Sequence, residues 1–367
     1  MPSLLGTALF GFVVAAAAVG AVPQDPTTSS KASSGAKACN NSPKLCGRRY
    51  NNITYLGAHD SSFLRDASTG NSVAGNQYVN ATVALDAGVR LLQAQVHVEN
   101  DELRLCHTSC SLLDAGPLAN WLALIAKWMN ANPNDVVTIL LVNSDRAVAR
   151  NLGAAFESAG LDKLAYKPST PRATSDWPTL QSMIDANTRL VAFATDFDYS
   201  TSVPYLLPEF DIMFETPYEV TEASGFGCTL HRPNSANLGS AKNAIDNSHF
   251  LSLVNHFKYN RLLGSVVVPD VDALNVTNDP ATKSPGNFGL HLQQCTSEWG
   301  TAPNFMLVDF FNVQNPIKAV DKMNGLDDIT GRAVVRDQRE PSSAAKTSNL
   351  VKGGLLVSAV TAFSLLM

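Results

Sequence analysis

Five apolar runs of strand length in this chain lead into polar side chains. They are "ITYLGAH" (53–59), "RLLQAQVHV" (90–98), "DVVTILLVN" (135–143), "RLVAFATD" (189–196) and "FMLVDFF" (305–311). Such runs read as strands buried on both faces, as a parallel sheet requires. Helical patterns lie between them. In "LLDAGPLANWLALIAKWMNANP" the apolar residues Leu118, Trp121, Leu122, Leu124, Ile125, Trp128 and Met129 share a helical face, and the pattern stops at Asn132-Pro133. "AVARNLGAAFESAG" and "TLQSMIDAN" continue the alternation. "LRLCH" and "FDIMFET" add strands; in the less regular stretch 220–300, "HFLSLVNHF" reads as a helix and "SVVVP" as a strand. Strand and helix alternating over this length predict an α/β fold, a (β/α) barrel in one domain over residues 45–330. In such barrels the active site lies at the C-terminal ends of the strands.

The polar residues at those ends are the candidates for chemistry. His59 and Asp60 follow the first strand, Cys106-His107 the third, and Asp309 the last. Gln93, Gln95 and His97 alternate along the second strand, so they share a face and point toward the mouth. Taken singly, each has a bland explanation: Asp60 as a turn cap, Asp309 bonding loop amides, the glutamines and His97 as a satisfied polar network. Together, two histidines and two carboxylates at strand ends make an acid–base set, since an imidazole exchanges protons near neutral pH. Asn143, Asp196, Tyr199 and Glu215 end other strands, where they would bind substrate hydroxyls or fix loops. Arg90 opens its strand and reads as structural, as do His231, His249, His256 and His291; Trp121 and Trp128 read as core.

Both termini differ from the body. The apolar stretch at 4–22 ends in small residues, as a secretory signal does (1–21), with a transmembrane helix as the alternative; a Ser/Thr/Pro-rich linker follows (22–44). At the other end, small residues at Ser342, Ser343 and Ala344 lie in a polar spacer (331–352) ahead of an apolar tail (353–367). That is the arrangement of a GPI-anchor signal, with an ordinary terminal helix as the alternative. A secreted, cell-surface protein anchored to the outer plasma membrane or wall is expected. The six cysteines fit an oxidising compartment, and proximity favours Cys39–Cys46 and Cys106–Cys110, leaving Cys228–Cys295. Sequons at Asn40, Asn52, Asn80 and Asn275 suit glycosylation. The net charge of −5 without a basic run argues against nucleic acid, and no Cys/His spacing suggests zinc. A monomer is expected.

The series "LGAHDS", "AGVRLLQAQVH", "LRLCHTSC", "NPNDVVTILLVN" and "VDFFN" resembles the X-region of phosphatidylinositol-specific phospholipase C-like phosphodiesterases, in their secreted fungal branch. The resemblance covers roughly residues 45 to 325. It implies a distorted TIM-type barrel and a phosphoinositide or related lipid head group as substrate. It implies that His59 is the general base that deprotonates the inositol 2-hydroxyl, and His107 the general acid that protonates the departing diacylglycerol oxygen. The product would be an inositol cyclic phosphate. Asp60 would pair with His107, and Asp309 with His59. Metal-independent members carry an Asp and an Arg where Gln93 and Gln95 stand, the Arg neutralising the phosphate; metal-dependent relatives place acidic ligands there. Glutamine is a poor ligand for a hard divalent ion, so no cofactor is expected. Arg65, a protonated His97 or Gln95 would have to compensate for the missing cation. The competing readings are a catalytically weak or inactive barrel that binds a polyol phosphate or wall glycan, and metal-dependent hydrolysis on the same barrel.

Overall fold

The computed structural model describes residues 37–234, 236–261 and 267–337. The expected signal peptide, most of the linker, and the anchor region and tail beyond residue 337 lie outside the described residues. Among the described residues twelve strands run in chain order: β1 Tyr55–Ala58, β2 Leu91–Glu99, β3 Glu102–Cys106, β4 Asp114–Pro117, β5 Val137–Asn143, β6 Leu190–Ala194, β7 Leu206–Pro208, β8 Met213–Glu215, β9 Leu251–Asn255, β10 Tyr259–Arg261, β11 Val267–Pro269 and β12 Phe305–Val308. Eight of them form one curled parallel sheet in the order β7-β6-β5-β2-β1-β12-β9-β8. β3 runs antiparallel on β2 and carries β4; β10 and β11 form a separate hairpin. The expected TIM-type α/β barrel in one domain is therefore present, opened between β7 and β8, which are neighbours in the chain but end the sheet on opposite sides.

Alternation along each strand splits the core in two. One set, with Tyr55, Leu91, Leu140, Val191, Phe193, Met213, Leu251, Leu253, Phe305 and Leu307, fills the barrel interior. The other, with Leu56, Leu92, Ala94, Ile139, Leu141, Ala192, Val254 and Met306, packs against the surrounding helices. Gly57 belongs to the interior row, where a Cβ would sit 2.8 Å from Leu307 Cδ1 and 2.9 Å from Leu91 Cδ2. Only a residue without a side chain fits there. The end of the interior opposite the mouth is closed by aromatic rings, with Tyr50 between Trp177 and Tyr55 at 4.7 and 5.4 Å.

The helix at Leu118–Ala131 forms as its periodicity predicts, burying Trp121, Ile125 and Trp128. The stretch read as a helix at 249–257 is instead strand β9. All five of its residues are buried, paired in parallel with β8 and β12. A short apolar run buried on both sides has no periodicity to distinguish strand from helix. The three expected disulfides are formed: Cys39–Cys46, Cys106–Cys110 and Cys228–Cys295. Of the sequons, Asn52, Asn80 and Asn275 are exposed. Asn40 is not suited to carry a glycan: it is 4% exposed, its amide nitrogen is enclosed, and its Oδ1 accepts the Val136 N–H. Arg90 holds Asp135, Asn41 and two carbonyls at the start of β2, as a structural residue should. Among the described residues no helix is long and apolar enough to cross a membrane.

Candidate active site

The parallel register assembles the first pair. Ala58 lies opposite Val308 across β1 and β12, so the residues that follow, His59 and Asp309, leave the sheet side by side. His59 Nδ1 is 2.8 Å from Asp309 Oδ1, and Asn76 Nδ2 donates to the same oxygen at 3.0 Å. The carboxylate holds the ring N–H on Nδ1 and leaves Nε2 free to take a proton. Phe257 stacks on the imidazole at 3.7 Å and 9°. Burial by itself would lower the His59 pKa, but Asp60, Asp309 and Glu215 outweigh it, so the pKa is raised above the ordinary value.

Asp60 joins this pair to the second histidine. It follows β1 with φ +44°, a left-handed conformation that Asp tolerates better than most residues. Gln93 Oε1 accepts its backbone N–H at 2.8 Å, and Gln95 Nε2 donates to its Oδ2 at 3.0 Å. That Oδ2 lies 3.4 Å from His107 Nε2 and 3.6 Å from His59 Nε2. One fully buried carboxylate oxygen thus faces both imidazoles. His107 is placed by the end of β3, with the Cys106–Cys110 bridge closing its loop and Phe63 packed at 5.1 Å. Gln95 Oε1 accepts the N–H of Thr108, fixing the same loop from the other side.

The remaining candidates fall into different places. His97 continues the Gln93–Gln95 row but pairs with Asp145 at 3.1 Å. Arg65 donates to Val73 O within its own loop at 3.5 Å, and is not a partner of either histidine or of Asp60 and Asp309. Asn143 is fully buried and shares the alternation of Ile139 and Leu141, on the helix side of β5. Its amide bonds the N–H and carbonyl of Ala147 and the carbonyl of Asp196, so it fixes two loops instead of facing a ligand. Asp196 has the helix-side alternation of β6 and pairs with Arg146 at 3.7 Å beside a cleft of about 540 Å³.

Residues not singled out as site candidates, together with Glu215, surround the His59–Asp309 pair. Asn76 and Phe257 set the orientation of His59; Phe257 follows β9 and was hidden by the helical reading of that stretch. Glu215 ends the interior row of β8, and its Oε2 accepts Nε and Nη2 of Arg232 and, at 3.3 Å, Nδ2 of Asn255. Backbone bonds between Glu215 and residues 231 and 232 hold the two segments together. The Arg232 guanidinium lies 4.3 Å from the Tyr218 ring. Burial raises the Tyr259 pKa well above its usual value, with Asp309, Asp60 and Tyr218 adding to it. Only the tertiary structure brings Arg232 to Glu215; in the sequence it is one arginine of an irregular stretch.

The arrangement can take a proton at one imidazole and release one at the other, with a carboxylate stabilising the charged form of each. It does not suit a divalent metal at β2. Gln93 Oε1 and Gln95 Oε1 each already accept a backbone N–H, and both are neutral, so these two positions present no carboxylate to a hard divalent ion. The one His/Cys cluster of metal-binding size among the described residues, Cys228, His291 and Cys295, contains a disulfide and has no thiolate to offer.

The PI-PLC X family model matches residues 45–324. A PI-PLC X domain-containing protein 1 from Arthroderma benhamiae is 34% identical over 290 residues, covering 78% of this chain and 90% of the relative. An uncharacterized secreted protein from the same organism is 36% identical over 284 residues, 76% of this chain; the chain spans 61% of that relative's length. Among solved structures, the phosphatidylinositol-specific phospholipase C of Listeria monocytogenes matches with a TM-score of 0.50 at 15% identity, covering 76% of this chain and 97% of that one. At that identity the likeness speaks for the fold. With the family model spanning most of the chain and a relative above 30% identity matched over nearly its full length, this chain belongs to the PI-PLC X family.

Proposed function

We propose that this protein cleaves a phosphoinositide-like phosphodiester by metal-independent acid–base catalysis. The observation that carries the reading is the single Asp60 oxygen that faces both imidazoles, with Asp309 behind His59. In the proposed step His59 Nε2 takes the proton of a ring hydroxyl adjacent to the phosphate. The freed oxygen attacks phosphorus, the bond to the lipid oxygen breaks, and His107 gives that oxygen a proton. The products are a cyclic phosphodiester of the polyol and a diacylglycerol. Asp60 supports the imidazolium of His107 and Asp309 that of His59. Gln93 and Gln95 serve by fixing Asp60, not by meeting substrate. Arg232, whose Nη1 has no acceptor among the described residues, supplies the cation for the anionic head group.

The protein is further read as exported and tethered at the cell surface or wall by a GPI anchor, acting as a monomer with its barrel mouth toward lipid. The test is turnover of phosphatidylinositol vesicles by wild type, His59→Ala, His107→Ala and Arg232→Ala. Loss of at least a hundredfold is expected for each histidine variant, the usual scale of general acid–base catalysis. Equal turnover in all of them would remove the mechanism. The second reading, a barrel that binds a polyol phosphate or wall glycan without turnover, is favoured by the neutral glutamines at β2. It predicts ligand binding that survives His59→Ala with no product formed.

A further inference from the structure

The opening between β7 and β8 holds a carboxyl group with no donor. Glu209, on the short turn Glu209–Asp211 that joins the two strands, is 0% exposed, and neither of its oxygens accepts a hydrogen bond among the described residues. Its neighbour is Glu215, another acceptor, whose Oε2 is already occupied by Arg232 and Asn255. Two carboxylates at adjoining buried positions cannot both stay ionised. Arg232 adds a positive charge close by, and Asp196, from the end of β6, adds another negative one. The cleft that Glu209 lines also contains Arg146, Asp198 and Asp211. Burial first, then Glu215, drives the Glu209 pKa well above the ordinary carboxylate value, in the direction the geometry requires.

We propose that Glu209 is a positioning residue for the reaction: as a neutral acid it donates its proton to Glu215 across the barrel opening, and so keeps Glu215 clamped on Arg232. The role of Arg232 at the head group rests on the function proposed above. Glutamine can replace the acid as a donor but does not titrate; alanine can do neither.

The experiment compares the full chain as wild type, Glu209→Gln and Glu209→Ala, in reversible unfolding and in phosphatidylinositol turnover, both across pH. A group kept protonated in the folded state stabilises below its unfolded pKa, and that contribution is lost as pH rises toward its folded pKa. Over that interval the wild type is expected to lose tenfold in its folding equilibrium constant per pH unit relative to Glu209→Gln. Glu209→Gln is expected to keep kcat/KM within about threefold near neutrality and to lack the alkaline decline, while Glu209→Ala falls at least tenfold at equal folded fraction. Superimposable pH–stability curves for wild type and Glu209→Gln would overturn the shared proton. Equal activity of Glu209→Ala and Glu209→Gln would overturn the positioning role. A wild type without turnover would overturn the function proposed for the site, and the unfolding comparison would still decide where the proton lies.

Discussion

Replacing Asp309 by Asn changes the charge behind His59 while keeping the shape of the side chain. In the wild type, Asp309 Oδ1 lies 2.8 Å from His59 Nδ1, and both groups are buried. With both charges delocalised over their groups, their centres are taken as about 4 Å apart. At an effective dielectric of ~20, that separation gives an attraction of about 4 kcal/mol for the imidazolium. The imidazolium forms as His59 takes the substrate proton, so this attraction is gained in the transition state. Its loss predicts a fall in kcat/KM of roughly a thousandfold. The pH profile moves with it. Burial lowers the His59 pKa and the carboxylates raise it, with a net upward shift. Asp309→Asn removes one of the raising charges, so the acid limb of kcat/KM, which follows deprotonation of the base in the free enzyme, moves to lower pH. The assay is kcat/KM against pH for both proteins on phosphatidylinositol, with thermal unfolding to confirm that the variant is folded. An acid limb that stays in place or moves to higher pH, or a plateau within threefold of wild type, would refute the reasoning about Asp309.

His107→Ala should lose about 10²- to 10⁴-fold on a natural lipid alkoxide, and far less on an analogue with a phenol leaving group of low pKa; equal losses on both would rule out general-acid catalysis by His107. Chelator should leave turnover unchanged, since the two neutral glutamines at β2 each already accept a backbone N–H and present no carboxylate; inactivation by EDTA with recovery on added calcium would contradict this. His256 and His291 form a buried pair, Nδ1 to Nδ1 at 2.8 Å, whose outer nitrogens meet the carbonyls of Thr277 and Gly227. Burial lowers both pKa values, that of His291 to about 4. A histidine depressed in this way favours folding above its unfolded pKa of about 6.5, and that stability is lost as pH falls toward the folded value. His291→Gln should therefore flatten the decline in Tm between about pH 6.5 and 4, and an unchanged slope would show that the pair does not set acid stability.

The sequence alone determined which segments hold the candidate residues, because burial on both faces and period-two alternation are local properties. The apolar runs that become β1, β2, β5, β6 and β12 are continuous or alternating in a way that survives any packing, and His59, Asp60, His107 and Asp309 mark strand ends whatever lies beside them. The rows Tyr55–Gly57–His59 and Leu91–Gln93–Gln95 follow from the same alternation. Tertiary structure decided what those residues meet. Asn143 and Asp196 also end strands, but the barrel turns their alternation toward the helices, a choice made by sheet packing and not by local pattern. The β9 run could satisfy its apolar residues equally well as helix or strand, until β8 and β12 offered hydrogen bonds on both edges. Phe257 then reached His59. Arg232 met Glu215 on β8 across a sequence separation over which no periodicity carries information. Partners that meet only when a barrel curls are fixed by the register and closure of the whole sheet, which no single segment contains.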